Sequence, residues 1–277
     1  MKTIGVFDSG FGGLTVLREL LALVPDARYV YLGDTARLPY GSKSRETIAR
    51  YAVSSARFLA DQGADLLVIA CNTATALALD EIRTAMSIPI VGVVEPGAQA
   101  CLAAASKSAA GVAGSHVLVL ATAATTQSGA YSRTLNALGL RATEKACPLL
   151  VPLVEEGWLD QAVHAAVTLE VLRVYLLEAL AQAPDANVLL LGCTHYPLLQ
   201  PLLETTLKNL HHPMRIIDSA EATAREVARL VSGDSQSVAD PADRVFYATD
   251  SIEKFQRLGS AFLREPLPPV KLIDLGG

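Results

Sequence analysis

Nowhere does the sequence hold the roughly 20 consecutive apolar residues that a membrane-spanning helix requires. Residues 108–132 carry no Asp, Glu, Lys or Arg, but Ser, Gly, Thr and His116 interrupt them. No sustained apolar core precedes Asp8, as it would in a secretory signal. The expectation is a cytoplasmic chain with no membrane partner, whose four cysteines are reduced thiols. Basic clusters are also missing and the net charge is −5, which argues against direct nucleic-acid binding. No Cys-x-x-Cys or His-x-x-x-His spacing is present to mark a metal site. What the chain does have is 277 residues with 51% hydrophobic content, enough to bury one large core or two smaller ones.

Short apolar runs alternate with helical patterns. Strands are expected at 3–7, 29–32, 66–70, 90–94, 117–121, 188–192, 214–217, 244–248 and 270–274. Helices are expected at 14–23, 46–62, 74–86, 98–106, 128–138, 159–182, from about 198, 220–231 and 251–263. This rhythm predicts an α/β fold with mainly parallel sheets and helices on both faces. Ser106 to Ser115 reads as a loop, and Asp250 with Glu253 as a capping box. Two segments repeat each other: Leu66–Thr73 and Val188–His195 are each an apolar run, a small residue, a cysteine and then polar side chains. The expectation is two similar three-layer α/β/α domains, 1–95 with 211–277 and 96–210, with an active site in the cleft between them.

Ligands of open α/β sheets bind beyond the carboxyl ends of strands, where Asp8, Cys71 and Cys193 fall. A thiol beside a helix N-terminus can be held as a reactive thiolate, and two of them suit a reaction needing a proton-transfer group on each side of its substrate. Cys101, among alanines, and Cys147, before Pro148, read as structural. Asp8-Ser9-Gly10-Phe11-Gly12-Gly13 begins like a dinucleotide fingerprint, but its third glycine is replaced by Thr15. A turn that receives a small anion on backbone N–H groups and the Ser9 hydroxyl fits better. Asp8 either caps a helix or tunes a proton-transfer group, and His195 is either a core histidine or an aid to Cys193. Three zinc ligands (Cys71, Cys193, His195) and a one-nucleophile Cys–His–Asp hydrolase remain open at this point. Asn72, Thr73 and Thr194 can cap helices and hold a carboxylate. Tyr40 and Gly41 supply a hydroxyl and a flexible backbone, Thr122, Thr125 and Thr126 repeat the polar theme after another strand, and Glu155 and Glu156 are a solvated pair or a site for an ammonium.

Taken together, Asp8–Leu14, Pro39-Tyr40-Gly41, Cys71–Ala74, Gly92–Gly97 and Gly192–Pro197 resemble bacterial glutamate racemases, over nearly the whole chain. The resemblance implies cofactor-independent interconversion of L- and D-glutamate, with Cys71 deprotonating D-glutamate and Cys193 deprotonating L-glutamate. It implies that Asp8 assists Cys71 and His195 assists Cys193. Substrate carboxylates would meet Ser9, Tyr40, Gly41, Asn72, Thr73 and Thr194. Thr122, Thr125 and Glu155 match a further pocket, Glu155 as the ammonium partner. No metal and no cofactor are implied. D-Glutamate would feed peptidoglycan synthesis and so cell-wall biogenesis and cell shape. Some members of the family also bind DNA gyrase, and members associate in different ways, a homodimer among them. Where the family has Gly-Thr ahead of the threonine cluster this chain has Ala121-Thr122. It also lacks the N-terminal extension of relatives activated by a cell-wall precursor, so no such activation is expected.

Overall fold

The computed structural model describes residues 1–108, 111–231 and 244–276. The chain divides into two compact units, one of residues 1–93 and 220–277 and one of residues 94–219. The first begins with β1 (Thr3–Asp8), α1 (Leu14–Leu23), β2 (Arg28–Gly33), α2 (Arg45–Asp61), β3 (Leu66–Ile69), α3 (Asn72–Ala85) and β4 (Ile90–Gly92). The second holds α4 (Val94–Ser106), β5 (His116–Ala121), α5 (Ala123–Ser128), α6 (Ala130–Ala137), β6 (Arg141–Ala146), α7 (Leu150–Glu155), α8 (Ala162–Gln182), β7 (Val188–Gly192), α9 (Gln200–Asn209) and β8 (Arg215–Asp218). After α10 (Ser219–Val231) the chain completes the first unit with β9 (Arg244–Ala248), α11 (Ile252–Leu263) and β10 (Val270–Leu272).

The first unit's sheet has the order β10-β9-β2-β1-β3-β4, and the second unit's has β6-β5-β7-β8. Every pairing is parallel. A parallel sheet is covered by helices on both faces, so its central strands are apolar on both sides. β1, β3, β5 and β7 are accordingly buried along their whole length. The fold is thus α/β with two parallel sheets. None of the described helices is long and apolar enough to cross a membrane.

Several local expectations are corrected. β6, absent from the sequence reading, is an edge strand of sequence RATEKA with no fully buried residue, so neither an apolar run nor clean alternation betrays it. β4 ends at Gly92 and α4 starts at Val94, taking Glu95-Pro96-Gly97 into its first turn, where proline's missing N–H costs nothing. The helix expected over 128–138 is broken by Gly129, whose φ of 62° separates α5 from α6. The helix expected from 159 starts at Ala162, with α7 a separate short helix before it. Asp250 and Glu253 form no capping box: α11 is preceded by Ser251 at φ 54° with no side-chain cap, and Asp250 Oδ1 accepts from the Ser251 N–H instead. The chain rejoins the first unit at 220 and not at 211, because β8 pairs with β7. Within the expected loop 106–115, residues 109 and 110 lie outside the described residues.

Leu190 is fully buried at the centre of β7. Leu190→Ala is expected to destabilise the second unit by about 2–5 kcal/mol, measured as a lower urea midpoint; an unchanged midpoint would mean that this strand is not the core of its unit.

Candidate active site

In each sheet the chain leaves its first strand in one direction and comes back on the other side. β1 is flanked by β2 and β3, and β5 by β6 and β7. At such a reversal the loops diverge and open a crevice at the carboxyl ends of the two strands. Asp8 ends β1 and Cys71 follows β3; Thr122 follows β5 and Cys193 follows β7. Each cysteine therefore lies at the topological switch point of its own sheet.

In the first unit, Cys71 is the N-cap of α3 and its Sγ accepts from the Ala74 N–H at 3.4 Å. The thiol donates to Ser9 Oγ at 3.3 Å. Asp8, 1% exposed, accepts from the Gly10 N–H at 2.8 Å. Gly13 is required beside it: a Cβ there would lie 2.5 Å from Asp8 Cβ and 2.9 Å from Ala70 Cβ. Asp8 does not cap α1, whose N-cap is Gly13, and the first N–H of the expected anion-binding turn is taken up by Asp8 itself. Asn72 and Thr73 are buried in the first turn of α3.

Burial pushes the Cys71 thiol up to about 12, and the Asp8 charge adds to the rise against smaller opposing effects of Ser9 and the Ala74 N–H. The expectation of a thiolate held ready is thus corrected for Cys71. A helix N-terminus is present, but desolvation and a neighbouring carboxylate outweigh it.

Tyr40 is also corrected in part. Its hydroxyl donates to Asp34 Oδ2 at 2.5 Å and its ring is buried against Phe7. Burial and the Asp34 charge raise its pKa far above the usual phenol range. With that hydroxyl committed, the loop has the backbone of Tyr40 and Gly41 to offer. Asp34 gathers the region: it is fully buried, lies 2.8 Å from Arg37 and accepts from Thr249 Oγ1 at 3.0 Å. The i,i+3 spacing of Asp34 and Arg37 was its one sequence signal.

In the second unit, Cys193, Thr194 and His195 are all buried. Gly192 lets the chain pass where a Cβ would lie 2.9 Å from the Leu120 carbonyl oxygen. His195 Nδ1 lies 3.9 Å from Cys193 Sγ, and its Nε2 lies 3.2 Å from Glu155 Oε1 at the end of α7. Burial lowers the imidazole pKa, but the hydrogen bonds and charges of Cys193 and Glu155 prevail and lift it to about 10. His195 is an imidazolium at neutral pH, with one N–H toward Cys193 and one toward Glu155. Thr122 caps α5, accepting from the Thr125 N–H at 3.4 Å, and Thr125 is fully buried. Cys101 and Cys147 are fully buried, their thiols likewise raised by burial to about 12.

The structure thus gathers Asp8, Ser9, Tyr40, Gly41, Cys71, Asn72 and Thr73 in one unit, and Thr122, Thr125, Glu155, Cys193, Thr194 and His195 in the other. The Glu155–His195 link was missed because 40 residues separate the two.

The family profile described as Asp/Glu/Hydantoin racemase matches residues 4–227. A glutamate racemase of Koribacter versatilis is 49% identical over 298 aligned residues, covering 99% of this chain and 98% of the relative. The chain belongs to the glutamate racemase family. It is an isomerase, in keeping with its curated relatives. The glutamate racemase of Thermus thermophilus, solved with β-chloro-D-alanine, is 40% identical at a TM-score of 0.82, covering 99% of this chain and 97% of that one. That of Francisella tularensis, solved with D-glutamate, is 31% identical at a TM-score of 0.85, covering 99% and 98%.

Two outcomes follow for the racemase. Iodoacetamide is expected to alkylate Cys71 slowly at pH 7–8 in the ligand-free enzyme, read by peptide mass mapping; labelling as fast as that of a free thiol would contradict a protonated Cys71. The raised His195 pKa contributes stability that is fully present below about pH 6.5, where a free imidazole titrates. That contribution is lost as the pH rises through about 10. Glu155→Gln is therefore expected to destabilise the enzyme near neutral pH, with the difference from wild type shrinking above pH 10. Urea denaturation across that range checks it, and a pH-independent difference would refute the ion pair.

Proposed function

We propose that the enzyme interconverts L- and D-glutamate by passing protons through two thiols, with no cofactor. The observation carrying this reading is that Cys71 and Cys193 stand at the switch points of two separate sheets, each with its own proton-handling neighbours. A glutamate racemase of Francisella tularensis is known with D-glutamate bound, which supports glutamate as the small-molecule substrate.

In this mechanism one cysteine, as thiolate, takes the α-proton from one face of the substrate. The electron pair of the broken C–H bond is left on the α-carbon and its carboxylate, and the other cysteine, as thiol, returns a proton to the opposite face. The thiols end with their protonation exchanged, and the family resemblance implies that Cys71 as base consumes D-glutamate and Cys193 as base consumes L-glutamate. The α-proton is weakly acidic, so each base must be tuned and the developing charge must be met by placed donors. At Cys71 the raised pKa has to fall when substrate binds, and the substrate ammonium supplies a positive charge to offset Asp8. At Cys193 the His195 imidazolium already stands beside the sulfur, and we assign Glu155 to holding that imidazole, not to the ammonium. The backbone of Tyr40 and Gly41 and the side chains of Ser9, Asn72, Thr73 and Thr194 receive the carboxylates, with Thr122 and Thr125 supporting the second half-site. D-Glutamate made in the cytoplasm would supply peptidoglycan synthesis.

The deciding experiment follows the circular dichroism of L- or D-glutamate with the purified enzyme and no additive. Racemisation is expected, with solvent deuterium entering the α-position. Cys71→Ala and Cys193→Ala are each expected to lower turnover by about 10³-fold or more; near-normal racemisation by either variant would sink the two-thiol mechanism. Gly13→Ala, which crowds Asp8, is expected to reduce kcat at least about tenfold.

A further inference from the structure

Glu155, which holds His195, ends a helix too short to fix its own position. α7 has six residues, and a helix of that length is marginal without tertiary support. α8 supports it at both ends. At the start, the Tyr175 hydroxyl accepts from the Leu149 N–H at 3.2 Å. At the end, the Gly157 N–H donates to the Val154 carbonyl at 3.1 Å and the Trp158 N–H to the Leu153 carbonyl at 2.9 Å, with Gly157 at φ 72°. These two bonds and the left-handed glycine make a Schellman stop, with Glu155 its last helical residue and Trp158 closing it. Trp158, the chain's single tryptophan, is then tied to α8 twice. Its indole stacks on the His164 imidazole, with ring centroids 4.8 Å apart and planes 8° from parallel. Its carbonyl accepts from the buried Thr168 Oγ1 at 2.6 Å. His164 and Thr168 stand one turn apart on the same side of α8, so that side grips both the ring and the backbone of one residue.

We propose that Trp158 is a positioning residue for the Cys193 half-site: locked between α7 and α8, it keeps Glu155 within hydrogen-bond reach of His195. The proposal rests on the two-thiol reading for its effect on turnover, but not for its effect on the imidazole. Glu155 Oε1 lies 3.2 Å from His195 Nε2, so a displacement of about 1 Å at the end of α7 breaks that bond. The titratable groups acting on the imidazole are Cys193 and Glu155, and the Thr194 hydroxyl lies 3.5 Å from Nδ1. Without Glu155 the ring loses one of the two groups that hold it charged, while burial still favours the neutral form. The sulfur of Cys193 then loses the cation at 3.9 Å. Trp158 acts through Glu155 and His195, so its loss falls on turnover and leaves the groups that receive the substrate carboxylates in place.

Histidine-selective NMR of the ligand-free chain, followed through the His195 titration, reads the lock directly. Trp158→Ala is expected to bring that titration down from about 10 by about one pH unit or more, with the far-ultraviolet circular dichroism of the wild type retained. In racemisation assays the same variant is expected to lower kcat at least about tenfold, with KM within about threefold of wild type. Trp158→Phe, which keeps a flat ring over His164, is expected to recover most of both. Thr168→Val removes the hydroxyl that grips the Trp158 carbonyl and is expected to move the titration the same way by a smaller amount. It carries the test if Trp158→Ala does not fold. A folded Trp158→Ala, or failing that Thr168→Val, whose His195 titrates as in the wild type overturns the proposal even where turnover falls. A wild-type chain that does not racemise glutamate sinks the two-thiol reading alone, and the titration still decides the lock.

Discussion

A parallel sheet cannot turn back on itself with a tight hairpin, so each strand must be followed by a crossover that packs over a face. That constraint organises both units. Once β1 and β3, or β5 and β7, lie side by side with their crossovers leaving in different directions, the carboxyl ends of those strands are the place where side chains can point at a ligand without burying backbone. Asp8, Cys71, Thr122 and Cys193 occupy these four strand ends. Burial of the strands on both faces also removes water from the groups at their ends, and this desolvation dominates the chemistry of Cys71.

The two half-sites use that dry environment in opposite ways. Around Cys71 a carboxylate and burial both oppose ionisation, with Ser9 and one helical N–H to soften them. Around Cys193, Glu155 helps to hold the neighbouring His195 charged, so a cation stands 3.9 Å from the sulfur. Sequence similarity between the two cysteine segments therefore hides an electrostatic inequality. In the ligand-free enzyme the two sulfurs therefore sit in unlike electrostatic surroundings.

Much of this was legible in the sequence because central parallel strands write themselves as unbroken apolar runs. The segments around Leu66–Ile69 and Val188–Gly192 give strand, strand end and thiol together, and the glycine-rich turn after Asp8 marks the first crossover. What stayed hidden was carried by polar or distant residues. β6 has charges where an edge strand meets solvent, so no periodicity separates it from a loop. The break at Gly129 is a single backbone angle inside an otherwise helical pattern. Asp34 gathers Arg37 and Tyr40 from its own loop and Thr249 from 215 residues away, and no motif spans that last separation. Glu155 meets His195 through the packing of α7 against the turn after β7, so its partner could not be guessed from spacing alone.

The loop that carries Tyr40 and Gly41 is stapled from the far end of the chain. Thr35 exchanges hydrogen bonds with the Asp250 backbone, and Thr249 reaches both Asp34 and the Ala36 N–H. The carboxy-terminal portion contributes no candidate site residue of its own, yet it closes the polar knot on which an amino-terminal loop rests. In the proposed mechanism, a change at the β9–α11 turn would reach the Tyr40–Gly41 loop through Thr35 and Thr249 and present as a defect in binding, with both thiols intact.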